Sequence, residues 1–270
     1  TGAPGAGKST LVDALIASFR SREKTIGVLC VDPTSPFTGG AILGDRIRMQ
    51  RHAEDPSVFV RSLATRGALG GLAKAVGDAI HVMDVMGKEI IIAETVGIGQ
   101  QEVEIINHSH TVVVVLVPGM GDDIQVIKAG IMEIADIFVV NKADRDGADK
   151  LANELGAMLN MVPNFPGGWR PPILRVGNCF EPGTFGQDVG ELAAAIIDHH
   201  RHLVEKGLLG DRMKRKAMVE IHEALRDAIL EPILKEMTES GEMEEIAGRL
   251  LRKETDPYTV AQEVARRRLK

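Results

Sequence analysis

Aromatic side chains are scarce in this chain: one Trp, one Tyr and seven Phe among 270 residues. A core with so few rings must be aliphatic, which suits a buried parallel sheet rich in Val and Ile. Cysteine is scarcer still. Cys30 and Cys179 fall in separate elements, which excludes a disulfide framework or a metal-ligand spacing and fits a reducing compartment. No apolar run approaches the roughly 18 residues of a membrane span, and the longest, Val112 to Pro118, is strand-sized. Positive charge is in deficit, with 32 Lys and Arg against 38 Asp and Glu for a net charge of -6. That balance argues against a nucleic-acid binder held by phosphate neutralisation. The basic end Arg266-Arg267-Arg268-Leu269-Lys270 reads as a solvated, dipole-favoured helix terminus.

What is present begins almost at once. Gly2-Ala3-Pro4-Gly5-Ala6-Gly7-Lys8-Ser9 fills every fixed position of G-x-x-x-x-G-K-[ST]. Glycines at 2, 5 and 7 permit backbone conformations that turn consecutive N–H groups onto phosphate oxygens. Lys8 reaches toward the β- and γ-phosphates, Ser9 offers its hydroxyl to Mg²⁺, and Thr10 completes the expected nucleotide-binding set. The spacing of Leu11, Leu15, Ile16 and Phe19 predicts a helix from here, with its positive end under the phosphates. Such a loop normally follows a buried strand. Only Thr1 precedes Gly2, so the sequence is expected to lack that strand through truncation upstream.

Downstream, short β-branched runs alternate with helix-length segments. Thr25 to Val31, Val58 to Arg61, Glu89 to Ala93, Thr111 to Val117, Asp136 to Val140 and Pro172 to Val176 read as strands. The alternation predicts an α/β fold of the P-loop NTPase type, with a doubly wound, mostly parallel sheet flanked by helices. The Pro- and Gly-dense stretch from Pro163 to Pro172 reads as a connector into the last strand. From about residue 205 the strand pattern stops, and helices are expected over Asp211 to Glu236, Glu242 to Lys253 and Tyr258 to Leu269. The chain therefore divides into a nucleotide-binding domain, 1–205, and a C-terminal helical appendage, 206–270. Met218, Ile221, Leu225, Ile229 and Ile233 form an apolar stripe, fitting closure onto the sheet domain or a second subunit.

Ligands of such sheets bind beyond the carboxyl ends of the strands. Asn141-Lys142-Ala143-Asp144 follows a strand there and matches N-K-x-D. The Asp144 carboxylate suits the adjacent N1–H and amino donors of guanine, which adenine lacks. Asp32, Asp45 and Glu94 lie at or after strand ends where a metal and the γ-phosphate would sit. Asp45 serves equally as a cap for the helical stretch Arg46 to His52. His199, His200 and His202 lie on a predicted helix with no cysteine nearby and read as a solvated face rather than a metal cluster.

The segments Asp32 to Pro36, Thr38 to Gly40, Ile42 to Asp45, Gly67 to Gly71, Glu94 to Gln100, Pro118 to Gln125 and Asn141 to Asp144 closely resemble the MeaB/ArgK/MMAA GTPases. These are G-protein chaperones of adenosylcobalamin-dependent methylmalonyl-CoA mutase. The resemblance spans residues 1 to about 205, and Glu94-Thr95-Val96-Gly97 distinguishes it from Ras-like GTPases, which carry Asp-x-x-Gly. It implies catalytic roles for Lys8, Asp32, Asp45 and Glu94 and Mg²⁺ ligation by Ser9, Asp45 and Glu94. It also implies GTP or GDP as ligand, an acyl-CoA mutase as partner, homodimerisation through the helical arm, and a cytoplasmic or, in a eukaryote, mitochondrial setting. Residues 119–128 match the family's third switch segment. Gly177-Asn178-Cys179 stands where the family often has Ser-Ala beside guanine, and Gln101 where Ser is common. Two rivals stay open: a P-loop ATPase or kinase tied to amino-acid transport, and a metallochaperone GTPase.

Overall fold

The computed structural model describes residues 1–32, 49–52, 54–64, 71–95, 108–119 and 134–268. Asp45, Gln101 and nearly all of 119–128 lie outside the described residues.

Among the described residues, six strands, all parallel to their neighbours, form two three-stranded sheets. In the first, β1 (Ile26–Asp32) lies between β2 (Val58–Ala64) and β3 (Ile90–Glu94); in the second, β5 (Ile137–Asn141) lies between β4 (Val113–Leu116) and β6 (Ile173–Val176). Each matches an expected strand to within a few residues. The connecting helices are α1 (Lys8–Arg20), α2 (Gly71–Val85), α3 (Ala148–Asn160) and α4 (Pro182–Glu205).

Period-two alternation sends each strand's side chains to two cores. Ile26, Val28 and Cys30 of β1 join Ile137 and Val139 of β5 in one cluster, covered by Leu11, Leu15, Ile16 and Phe19 of α1 and Val189 and Leu192 of α4. The opposite neighbours, Phe138 and Val140, pack on Leu151, Leu155 and Leu159 of α3. Leu29 and Val31 pack on Val76 and Met83 of α2. Helices thus cover both faces of parallel strands, the doubly wound arrangement that the alternation predicts.

Contacts divide the chain into two compact units, Thr1–Lys216 and Ala217–Lys270, with the division inside α5 (Leu208–Leu225). The second unit continues through a π-helical turn, Arg226–Leu230, into α6 (Glu231–Glu239), α7 (Glu242–Leu251) and α8 (Pro257–Arg268). The π turn ends beside Pro232, whose missing N–H interrupts the regular helical ladder. Asp256 caps α8, accepting from the N–H groups of Tyr258 at 2.9 Å and Thr259 at 3.1 Å. Its basic end is not simply solvated. Arg268 pairs with Glu236 and Glu242, and Arg267 with Glu242, fastening α8 to α6 and α7. On α5 and the π turn, Met218, Ile221, Leu225 and Ile229 are exposed.

Candidate nucleotide site

The phosphate loop is wedged between strand ends. Val115 N–H of β4 donates to Thr1 O at 2.9 Å, and the Thr95 hydroxyl, just after β3, donates to the Thr1 hydroxyl at 2.9 Å. Gly2 pairs with Val115 in a parallel bridge at φ 148°, and a Cβ there would stand 2.2 Å from Val115 O. Gly7 has φ 89°, and a Cβ would meet Asn141 Nδ2 at 2.4 Å. Only glycine satisfies the backbone angle and the space at that position.

Gly7 is also the N-cap of α1, which has no side-chain cap and no acidic residue in its first turn. Its first N–H groups and its dipole are therefore suited to an anion. Lys8, buried, folds its ammonium onto the loop, donating to Gly2 O at 2.7 Å and Ala3 O at 2.9 Å. The buried Ser9 hydroxyl donates to Glu94 Oε1 at 2.7 Å. A hydroxyl and a carboxylate oxygen in contact at the loop mouth are hard donors of the kind Mg²⁺ prefers, so Ser9 and Glu94 fit a magnesium site. Asp32 ends β1, one strand from Glu94 at the end of β3.

The expected base-reading segment follows β5 and is tied to the same loop. Asn141 Nδ2 donates to Ala6 O at 2.7 Å and Lys142 Nζ to Gly5 O at 2.9 Å. Lys142 holds a left-handed φ of 55°, rare for a residue with a side chain. That turn leaves Asp144 exposed, while Ala143 N–H bonds Val176 O at 2.9 Å. A cleft opens here, lined by residues that include Thr10, Asn141, Asp144, Gly177, Asn178 and Cys179. Sequence reading missed Phe180, which lines the same cleft and is 87% exposed. Its position one residue past the expected Gly177-Asn178-Cys179 segment was the available signal.

The opposite end of β5 corrects an expectation. His199 is fully buried, not part of a solvated face: its Nε2 lies 3.2 Å from Asp136 Oδ1, its Nδ1 lies 2.9 Å from the Thr111 hydroxyl, and its ring packs 4.8 Å from Trp169. Arg212 donates to both Asp136 oxygens, at 2.7 and 3.0 Å, and Trp169 Nε1 donates to Asp136 O at 2.8 Å. Burial raises the Asp136 pKa, but the hydrogen bonds from His199 and Arg212 outweigh it and hold the carboxyl below its ordinary value. His200 is exposed, and His202 contacts Gly167 O at 2.9 Å, so the three histidines do not converge. Among the described residues no group of three His, Cys, Asp or Glu side chains could hold a metal ion. No helix of the described residues is long and apolar enough to cross a membrane.

Residues 1–238 match the family described as methylmalonyl-CoA mutase-associated GTPase MeaB. A Pyrococcus horikoshii protein named as a GTPase is 50% identical over 264 residues, covering 97% of this chain and 80% of that protein. The mitochondrial methylmalonic aciduria type A homolog of Caenorhabditis elegans is 38% identical over 180 residues, 65% of this chain and 45% of that protein. Among solved structures, the LAO/AO transport system kinase superposes with a TM-score of 0.72 at 21% identity, covering 98% of this chain and 79% of that one. At that identity the likeness speaks for the fold alone.

Proposed function

The chain belongs to the MeaB family of methylmalonyl-CoA mutase-associated GTPases, and from that premise we propose that its GTP hydrolysis is Mg²⁺-dependent and serves the assembly or protection of a cobalamin-dependent acyl-CoA mutase. One observation carries the nucleotide half of this reading. Asn141 and Lys142 bond directly to Ala6 and Gly5, so the strand end that reads the base is joined to the loop that holds the phosphates.

In this reading Gly2 to Thr10 cradle the phosphates. Asp144 accepts hydrogen bonds from N1–H and the amino group of guanine, and the 177–179 segment walls the base. Ser9 and Glu94 hold Mg²⁺, joined by Asp45. The metal, when bound, neutralises charge on the β- and γ-phosphates. Lys8 leaves its loop carbonyls for the phosphates and stabilises charge as the γ-phosphoryl bond breaks. Asp32 and Glu94 orient the attacking water from the ends of β1 and β3. Hydrolysis by the chain alone is slow if, as in many GTPases, a partner supplies the last stabilising group.

The exposed stripe from Met218 to Ile229 supports a homodimer built by the helical arm. A cytoplasmic setting, or a mitochondrial one in a eukaryote, fits shared work with the mutase, and the word mitochondrial in the nematode relative's name supports the second. The test is hydrolysis of labelled GTP under a tenfold excess of unlabelled ATP, with and without an adenosylcobalamin-dependent acyl-CoA mutase. Hydrolysis should withstand ATP and change rate with the mutase. Equal competition by ATP overturns the guanine reading, and a rate indifferent to every such mutase overturns the partner.

A further inference from the structure

The nucleotide cleft contains an aromatic ring that the fold does not use. Phe185, which also lines it, is half-buried against the main core and is committed to packing. Phe180 is 87% exposed, the most exposed phenylalanine among the described residues. Of the other described phenylalanines, Phe19 and Phe138 are buried, Phe165 and Phe185 half-buried and Phe59 only 38% exposed, so a ring left in water beside a base pocket has no packing explanation.

The backbone that carries it is fixed. Phe180 N–H donates to Asn178 Oδ1 at 3.0 Å, an Asx turn. Glu181 N–H donates to Asn178 O at 3.0 Å, and Phe185 N–H to Glu181 O at 3.0 Å, where α4 begins. Just before this turn, Gly177 N–H is held by Asp188 of α4 at 2.8 Å. The ring is thus presented from a hydrogen-bonded turn rather than from loose chain. The Lys142 side chain, drawn toward Gly5 by its 2.9 Å contact, lines the same cleft and brings an aliphatic stem to it.

We infer that Phe180 closes over the bound nucleotide and stacks on its purine ring, a positioning residue for the base. The inference rests on the guanine-nucleotide reading above. Stacking uses the face of the ring, which every purine has, whereas Asp144 reads the edge. The two residues therefore divide the labour: Phe180 governs how long a purine nucleotide stays and Asp144 governs which purine it is.

The test compares GDP, IDP and tripolyphosphate binding by calorimetry on the whole chain, for the parent, Phe180→Ala and Phe180→Trp. Phe180→Ala should weaken GDP and IDP alike by about tenfold, the usual scale for losing one base–aromatic stack. Tripolyphosphate, which has no base, should bind unchanged, and so should the melting point without ligand, because the ring is outside the core. Phe180→Trp should retain affinity. GDP binding by Phe180→Ala within twofold of the parent overturns the inference, as does an equal loss of tripolyphosphate binding, which would mark a general collapse of the loop. The underlying reading fails separately, if the parent binds ADP as tightly as GDP.

Discussion

Both ends of β5 hold buried polar groups, put to opposite use. At the carboxyl end, Asn141 is buried and bonded to the phosphate loop, yet the next residues leave Lys142 strained, Asp144 exposed and a cleft beside them. At the amino end, Asp136 is equally buried, but Arg212, His199 and the Val112 N–H saturate its oxygens. A buried polar residue alone does not mark a site. The difference lies in what faces outward: one end keeps donors, an acceptor and an aromatic ring facing a cleft, and the other turns its groups inward on one another.

That contrast breaks first at Asp136. Asp136→Ala strips the acceptor from His199 and Arg212 inside the protein and should cost about 3 kcal/mol of stability, the lower end for breaking a buried pair. GDP affinity, read at the other end of the strand, should stay within about threefold of the parent, as expected for sites that share no partner. The pH dependence has a definite sign. The Asp136 carboxyl sits below its ordinary 3.8 in the folded chain, so its stabilisation is present above that value and is lost as pH falls through the folded one. The parent should therefore show an extra loss of stability in urea melts below pH 4 that Asp136→Ala lacks. Next in size is Lys8→Ala, the counterpart at the carboxyl end. It should lower GTP hydrolysis at least about a hundredfold, since a neutral side chain cannot stabilise the transferring phosphoryl charge. The nucleotide-free melting point should fall only modestly, by the two hydrogen bonds that Lys8 donates to Gly2 O and Ala3 O, because Gly2, Gly7 and the Asn141 clamp still hold the loop.

The carboxyl end was legible because its chemistry is local. An octapeptide and a tetrapeptide, each contiguous, fix the glycines, Lys8, Ser9, Asn141 and Asp144, and the strand runs that end in Glu94 and Asn141 bring them to one edge of the fold. The amino end was not, because Asp136, His199, Arg212 and Trp169 come from separate elements and form a group only after folding. A trace of His199 was still readable. It falls seven residues after Leu192 and four before Leu203, both buried on α4, so helical spacing puts it on the inward face. Reading the three histidines as one group hid that difference. Phe180 escaped notice for another reason, since an aromatic residue in a turn resembles core until its exposure is seen.

Smaller effects sharpen the comparison on the carboxyl side. Asp144→Asn replaces one acceptor with a donor, so guanine loses a partner for its amino group while xanthine, with a carbonyl there, gains one. GDP affinity should fall about tenfold or more and XDP affinity should rise, the pattern of a residue that reads a base edge. An Asp144→Asn variant that binds both nucleotides as the parent does would remove Asp144 from base recognition.

The mildest probe is the chain's own chemistry. The sequence has two cysteines; Cys30 is buried in the core beside Met49, and Cys179 is exposed and lines the cleft. N-ethylmaleimide should therefore modify one thiol per folded chain, with Cys179 open to solvent and Cys30 shielded. Saturating GDP should slow that modification several-fold if the base lies against the 177–179 segment, and tripolyphosphate should not slow it. The effect is kinetic and needs no folding energy, so it separates occupancy of the base pocket from occupancy of the phosphate loop in the unaltered protein. Equal protection by both ligands would mean that the loop closes over Cys179 without a base. No protection by GDP would place the base away from Gly177, Asn178 and Cys179 and leave Asp144 alone at the edge of the cleft.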